Sequence, residues 1–119
     1  MVSLPMANYK DLIVFQKADC LAHKMYEITD TLPKAEMFGL TSQIRRAALS
    51  IPTNIVEGYG RQGKKELKQY INISLGSHAE TEYLFQFTKK RYLKNKDVTD
   101  VECLISEVGR LLWRFYRSL

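Results

Sequence analysis

Residues 38–60 of the chain read FGLTSQIRRAALSIPTNIVEGYG, and their apolar side chains recur at helical spacing. Ile44, Ala48, Ile51 and Ile55 share one face of a helix that runs across the position of Pro52. Pro52 has no N–H to donate to the carbonyl of Ala48, and its ring crowds that turn at a cost of about 3 kcal/mol. The pattern therefore predicts a single helix that is kinked at Pro52 and held by neighbouring helices.

A second apolar strip lies beside this face and consists of Leu49, Pro52 and Val56. On a helical wheel the strip widens the apolar surface beyond what one bundle core needs to cover. We therefore expect Leu49, Pro52 and Val56 to contact another subunit in a homo-oligomer.

Three further segments also have helical periodicity, and polar breaks separate them. The first break spans residues 31–36, the second holds Gly60 and Gly63, and the third spans residues 95–97. Helices are thus predicted at about 9–31, 37–60, 64–93 and 98–118. In the third, Ser74, Thr81 and Thr88 form a row of small residues. Apolar spacing predicts the core stripes of the first and fourth helices. They are Val14, Ala18, Leu21, Met25, Ile28 and Leu32 in the first, and Val101, Leu104, Val108, Leu111 and Phe115 in the fourth. Four helices with short connections predict an all-α fold, an antiparallel up-and-down four-helix bundle formed by residues 1–119 as a single domain.

Composition excludes several classes of protein. The 119 residues are enough for one modest core, and no apolar run is long enough to span a membrane. The first residues lack the pattern of a signal peptide, so we expect a soluble cytoplasmic protein. Cys20 and Cys103 show no metal-binding spacing and are predicted to be buried or half-buried. His78 is predicted to be a core or interface side chain with a polar partner, and no metal is expected.

Three ordered blocks carry a resemblance to a known family. They are YKDLIVFQKA at residues 9–18, the 38–60 stretch, and LGSHAETE at residues 75–82. The chain resembles the 23S rRNA intervening sequence proteins, small bacterial four-helix bundles without established enzymatic activity. It is more distantly similar to the accessory variability proteins of diversity-generating retroelements. That second resemblance implies a pentameric ring that binds nucleic acid and contacts a reverse transcriptase. Phe15 and His78 depart from the residues usual in the family without affecting the expected fold.

Paired carboxylates raise the question of catalysis. Glu57 and Glu80 lie on neighbouring predicted helices, but nothing in the sequence brings them to a common pocket. An ion pair with Arg45 or Arg46 explains buried carboxylates better, so we expect Glu57 or Glu80 to pair with one of these arginines in the bundle or across subunits. No glycine-rich phosphate loop is present, and two histidines are few for a catalytic triad. We expect a protein that is not an enzyme and that has no cofactor.

The positive charge resides in the second half of the chain. Residues 1–60 contain six Lys or Arg and six Asp or Glu, whereas residues 61–119 contain twelve and seven. Lysines at a helix carboxyl end complement the helix dipole, but those at the amino end gain nothing from it. This placement favours a nucleic-acid-binding face on the third helix. The face consists of Arg61, Lys64, Lys65, Lys68, Lys89, Lys90 and Arg91.

A second basic stripe lies on the fourth helix and consists of Arg110, Arg114 and Arg117. Glu107 is within helical reach of the first two and is expected to pair with them, so this stripe ranks below the third helix. Two functions follow from these patterns. One is an oligomeric nucleic-acid-binding protein, with RNA preferred over DNA. The other is a ring-shaped adaptor that docks a protein partner such as a reverse transcriptase.

Overall fold

A computed structural model describes residues 8–119, and within them the chain forms four α-helices and no strand. Short 3-10 turns at Tyr9–Asp11 and Lys34–Glu36 precede the first two α-helices. The predicted all-α four-helix bundle is confirmed. The α-helices are α1 (Ile13–Thr29), α2 (Leu40–Tyr59), α3 (Lys64–Tyr92) and α4 (Thr99–Ser118).

The helix ends follow from local chemistry. The Asp97 carboxylate accepts hydrogen bonds from the backbone N–H and the hydroxyl of Thr99, at 3.0 and 2.7 Å, where α4 begins. These bonds hold the pKa of Asp97 below its ordinary value. Gly63 has a φ of 106°, a conformation that side chains disfavour, and α3 starts directly after it. The predicted start of the first helix at residue 9 coincides with the 3-10 turn Tyr9–Asp11, whereas the predicted start of the second at residue 37 falls in the turn between Glu36 and Leu40.

Each helix buries one face in a shared hydrophobic cluster. Val14, Ala18, Leu21 and Met25 of α1 are buried, as their spacing predicted. The contribution of α2 includes Ile44, Ala48, Ile51 and Ile55, and Pro52 lies within this helix. The core of α4 is centred one residue away from the predicted stripe, because Ile105 and Leu112 are buried while Leu104 and Leu111 are half-buried.

The small residues of α3 form a polar seam inside this core. Ser74, Thr81 and Thr88 are fully buried. The Ser74 hydroxyl donates to the carbonyl of Ile51 in α2 at 2.9 Å, and the two threonines donate to carbonyls four residues earlier in α3. Every buried hydroxyl of the seam is therefore hydrogen-bonded, which removes the cost of burying it.

The four helices pack in a closed cycle. Each helix packs against the next in the chain, and α4 returns to pack against α1. Contacts between α2 and α3 pair residues in opposite order, since Gly58 approaches Tyr70 while Ser50 bonds Ser77. A Cβ on Gly58 would come within 2.8 Å of the Tyr70 Cβ, so a side chain there would push the two helices apart. This packing is consistent with an up-and-down bundle.

The described residues extend 52 × 26 × 19 Å, so the two ends of the bundle are well separated. Among residues 8–119, no helix combines the length and the hydropathy that a bilayer crossing requires. Cys20 and Cys103 are both exposed, so the prediction that they are buried or half-buried is wrong. Both lie on the outer sides of their helices, which the apolar stripes of α1 and α4 leave in solvent.

Candidate nucleic-acid interface

The structure divides the basic face predicted on α3 into two clusters. We define the amino-end cluster as Arg61, Lys64, Lys65 and Lys68, and the carboxy-end cluster as Lys89, Lys90, Arg91, Lys94 and Lys96. An α-helix rises about 1.5 Å per residue, so Lys68 and Lys90 lie about 33 Å apart along α3. The seven residues predicted to form one site therefore belong to opposite ends of the bundle.

The amino-end cluster contains both paired and free cations. Arg61 lies 3.3 Å from the Glu57 carboxylate, donates to the Tyr70 hydroxyl at 2.9 Å and covers the ring of that tyrosine. Lys64 and Lys65 are exposed and form no ion pair with any carboxylate of residues 8–119. Their charge is thus available to a ligand, whereas that of Arg61 is partly compensated.

Lys68 connects this cluster to α4. Its ammonium lies 4.9 Å from the centre of the Tyr116 ring, a cation–π contact. The contact places the carboxyl end of α4, with Arg110, Arg114 and Arg117, beside the amino end of α3. Glu107 pairs with Lys17 of α1 at 3.5 Å, so its predicted pairing with the α4 arginines is wrong. The reason is that α1 packs on this side of α4 and brings a lysine closer.

Aromatic side chains accompany the arginines of α4. The Trp113 ring stacks on Tyr116 with centroids 5.6 Å apart and planes inclined by 14°. Trp113 is 52% exposed, and with the three arginines it lines a surface hollow of about 270 Å³. The charge pattern does not single out Trp113, which lies about 40° from Arg117 on a helical wheel, at the edge of the basic side of α4.

At the other end of the bundle, Lys89 is the paired member of the carboxy-end cluster. Lys89 donates to the Glu102 carboxylate at 2.8 Å, and Gln86 donates to the same carboxylate at 3.2 Å. The lysine is the main reason why the pKa of Glu102 lies below its ordinary value. Lys90, Lys94 and Lys96 form no ion pair within the described part of the chain. The cluster surrounds two surface hollows of about 510 and 470 Å³.

The loop between α1 and α2 also reaches this end. The Tyr92 hydroxyl donates to the Glu36 carboxylate at 2.5 Å, which lowers the pKa of Glu36 and raises the pKa of Tyr92. Beside this contact, Phe38 is 96% exposed and Met37 is 49% exposed. The carboxy-end cluster therefore has two exposed apolar side chains at its edge, and no pattern in the sequence marks them as exposed.

The predicted ion pairs between α2 and α3 do not form within the chain. Arg45 pairs with Asp30 at 2.8 Å, and Glu57 pairs with Arg61, four residues further along. Arg46 and Glu80 are exposed and line one hollow of about 290 Å³ between α2 and α3, but they are not within ion-pair distance. The prediction is wrong for a single subunit, because Arg45 and Glu57 have nearer partners and Arg46 and Glu80 are exposed. Pairing across subunits stays a prediction.

The strip predicted to contact another subunit is only partly accessible. Leu49 is 46% exposed and Val56 is half-buried. Pro52 is buried within the chain, because it faces the core between the two apolar rows of α2. Leu49 and Val56 are therefore the residues of the strip that remain accessible to another subunit.

Other candidate chemistry is sparse. Within residues 8–119, no three His, Cys, Asp or Glu side chains lie close enough together to hold a metal ion. His78 has the expected polar partner, since its Nε2 lies 2.7 Å from the Ile105 carbonyl of α4.

Comparisons with known proteins agree with this architecture. The chain is similar to a crystal structure from Bacteroides thetaiotaomicron VPI-5482, described as a protein of unknown function from the S23 ribosomal protein family. The TM-score is 0.78 at 23% identity, over 87% of this chain and 98% of that one, which supports the fold alone. A comparison with curated proteins found no match. The family model for the 23S rRNA-intervening sequence protein matches residues 10–114. Since the match spans most of the bundle, the chain belongs to the 23S rRNA-intervening sequence protein family.

Proposed function

We propose that the chain is a non-enzymatic, oligomeric nucleic-acid-binding protein whose preferred ligand is RNA. The observation that carries the proposal is a concentration of exposed cations without an ion-pair partner among residues 8–119, at both ends of α3 and at the adjoining end of α4. They are Lys64, Lys65, Lys90, Arg91, Lys94, Lys96, Arg110, Arg114 and Arg117. The other exposed cations without such a partner, Lys10, Lys34 and Arg46, are scattered over the rest of the described residues.

Helix dipoles do not account for this arrangement. Lys64 and Lys65 lie in the first turn of α3, where the dipole disfavours cations. Only Glu66 in that turn opposes them. Unpaired cations that repel one another are retained at a cost to folding, and a polyanionic ligand offsets that cost by neutralising them. The formal net charge of +5 is also positive, as expected of a protein that binds a polyanion.

Oligomerisation strengthens this proposal. Leu49 and Val56 provide an apolar contact for a second subunit, and the resemblance noted above implies a closed ring of five. Each added subunit repeats the same cationic ends, so a long polyanion meets several weak sites at once and binds with avidity. RNA comes before DNA in the proposal because the family takes its name from insertions in rRNA genes.

Filter binding over a range of salt concentrations tests the proposal. Neutralising about five phosphates gives a slope of log affinity against log salt of about −3.5 for single strands, at about −0.7 per phosphate. Changing Lys64, Lys65 and Lys68 together to Glu is expected to weaken binding and flatten this slope. The matched change of Lys90, Lys94 and Lys96 to Glu at the other end shows how much each cluster contributes to the affinity. Absence of salt-sensitive binding to RNA and DNA by the parent protein refutes the proposal.

The second candidate is an adaptor that docks a protein partner such as a reverse transcriptase. The exposure of Met37 and Phe38 favours it, because bare apolar side chains are typical of protein contacts. Co-purification separates the two candidates. Stoichiometric capture of a single protein, lost when Phe38 is changed to Ser and unaffected by nuclease, supports the adaptor.

A further inference from the structure

The arginines of α4 form a stripe without nearby negative charge. Arg110, Arg114 and Arg117 are all exposed, and Arg110 donates to the Ser106 hydroxyl at 3.1 Å. No Asp or Glu occurs between residues 108 and 119, and Glu107 is occupied by Lys17. Three planar guanidinium groups are thus presented on one side of α4, and within residues 8–119 the bond to Ser106 is the only hydrogen bond or ion pair that engages their donors. Such groups bind phosphate oxygens with two parallel hydrogen bonds.

Trp113 lies at the edge of this stripe and presents a flat apolar surface. Tyr116 covers one face of the indole, while half of the side chain stays exposed. The side chain lines a hollow together with the three arginines. Lys68 lies over the Tyr116 ring, so the pair of aromatic rings has a cation from α3 at its edge. A half-exposed tryptophan costs hydration free energy unless a ligand covers it.

We propose that α4 holds a single-strand-binding site in which a base stacks on Trp113 and the neighbouring phosphates bind the three arginines. The inference rests on the proposed nucleic-acid function, and it adds where the ligand binds and that the bound nucleotides are unpaired. Every base offers a π-face for stacking, so the site selects unpaired nucleotides without selecting a sequence. In a duplex the bases are stacked on one another, and only the phosphates remain for the arginines.

The chemistry distinguishes this ligand from other polyanions. An acidic protein segment supplies carboxylates for Arg110, Arg114 and Arg117 but no regular planar group for the indole. The Lys68 ammonium lies over the Tyr116 ring, and Tyr116 stacks on Trp113, so the amino-end cluster of α3 adjoins the aromatic pair of α4.

Fluorescence tests this inference directly because Trp113 is the sole tryptophan of the chain. The full-length protein is titrated with an unstructured oligouridylate at low salt, and we expect saturable quenching that added salt reverses. An oligomer of abasic sugar phosphates is expected to bind without the quenching that a stacked base causes. A duplex of equal length is expected to quench little.

Two variants locate the site. Changing Arg110, Arg114 and Arg117 to Gln is expected to weaken oligouridylate binding by at least about tenfold. The matched change of Lys90, Lys94 and Lys96 to Gln removes the same charge from the other end and is expected to leave the quenching of Trp113 in place. Trp113→Leu is expected to lose about 5- to 150-fold in affinity by filter binding.

Three outcomes overturn the inference. If the arginine variant binds as the parent does while the lysine variant loses binding, the ligand lies at the carboxy-end cluster, and only the proposed function survives. Equal quenching by polyglutamate shows a general polyanion surface. Absence of binding by the parent protein at low salt removes the proposed function and this site together.

Discussion

Gly109 of α4 packs against the His78 ring of α3, which leaves no room for a side chain at position 109. A Cβ at this position would lie 2.6 Å from the Cε1 and 2.9 Å from the Nε2 of His78. The same Nε2 donates to the carbonyl of Ile105 at 2.7 Å, so the ring is held against α4. Gly109→Ala must therefore compress the ring or displace it. We expect the sign of its effect on stability to depend on His78.

The magnitude follows from three contributions. Alanine in a helix interior is more favourable than glycine by about 1 kcal/mol. Overpacking against a held ring costs about 1–3 kcal/mol, and losing the hydrogen bond of His78 costs about 0.5–1.5 kcal/mol. In the parent protein, Gly109→Ala should thus lower the free energy of unfolding by about 0.5–3.5 kcal/mol. In a His78→Ala background only the helix contribution remains, and the same change should stabilise by about 1 kcal/mol.

Urea unfolding of the parent, both single variants and the double variant measures this cycle, with far-UV circular dichroism as the signal. The protein concentration must be constant, because subunit association contributes to apparent stability. A coupling of about 1.5–4.5 kcal/mol between the two positions is expected. If Gly109→Ala stabilises the protein equally in both backgrounds, His78 is not packed against α4 and the description of this contact is wrong.

Three further predictions concern charge and assembly. The free energy of unfolding should be highest above the ordinary carboxyl pKa and should decrease as the pH falls below about 4, because carboxylates whose pKa is lowered in the folded protein then take up protons. Urea unfolding midpoints measured between neutral and acid pH check this. Leu49→Asp should reduce the mass measured by light scattering while the helical circular dichroism signal is retained. Glu57→Gln and Glu80→Gln should each change stability by less than about 1 kcal/mol, because both carboxylates are exposed. The carboxylates with lowered pKa are Glu36, Asp97 and Glu102.

The helices and their buried faces could be predicted because both follow from the period of apolar residues along the chain. The interval between Ile44 and Ile55 specifies one side of α2 whatever packs against it. The 3-10 turn before α1 could not be separated from that helix, since three residues are too few to show a different period. The centre of the α4 core was misplaced by one residue because Leu104, Ile105, Leu111 and Leu112 are equally apolar.

The positive charge of the candidate site could be predicted from the sequence, but the ion-pair partners of its residues could not. The excess of cations after residue 60 is visible in the sequence, whereas the choice of partner depends on which helices meet. Glu107 binds Lys17 because α1 packs on α4, and no local pattern contains that information. The exposure of Trp113 has the same origin, since it depends on Tyr116 lying to one side and on no helix covering the other.

The separation of the two clusters on α3 sets a minimum length for a ligand that binds both. Lys68 and Lys90 are joined by unbroken helix and lie about 33 Å apart, so neither can move toward the other. A stacked single strand advances about 3.4 Å per nucleotide, and roughly ten nucleotides are needed to cover that distance. Stacked oligonucleotides shorter than this can contact only one end of a subunit. Affinity should therefore increase sharply with chain length near this threshold, as the second contact becomes intramolecular.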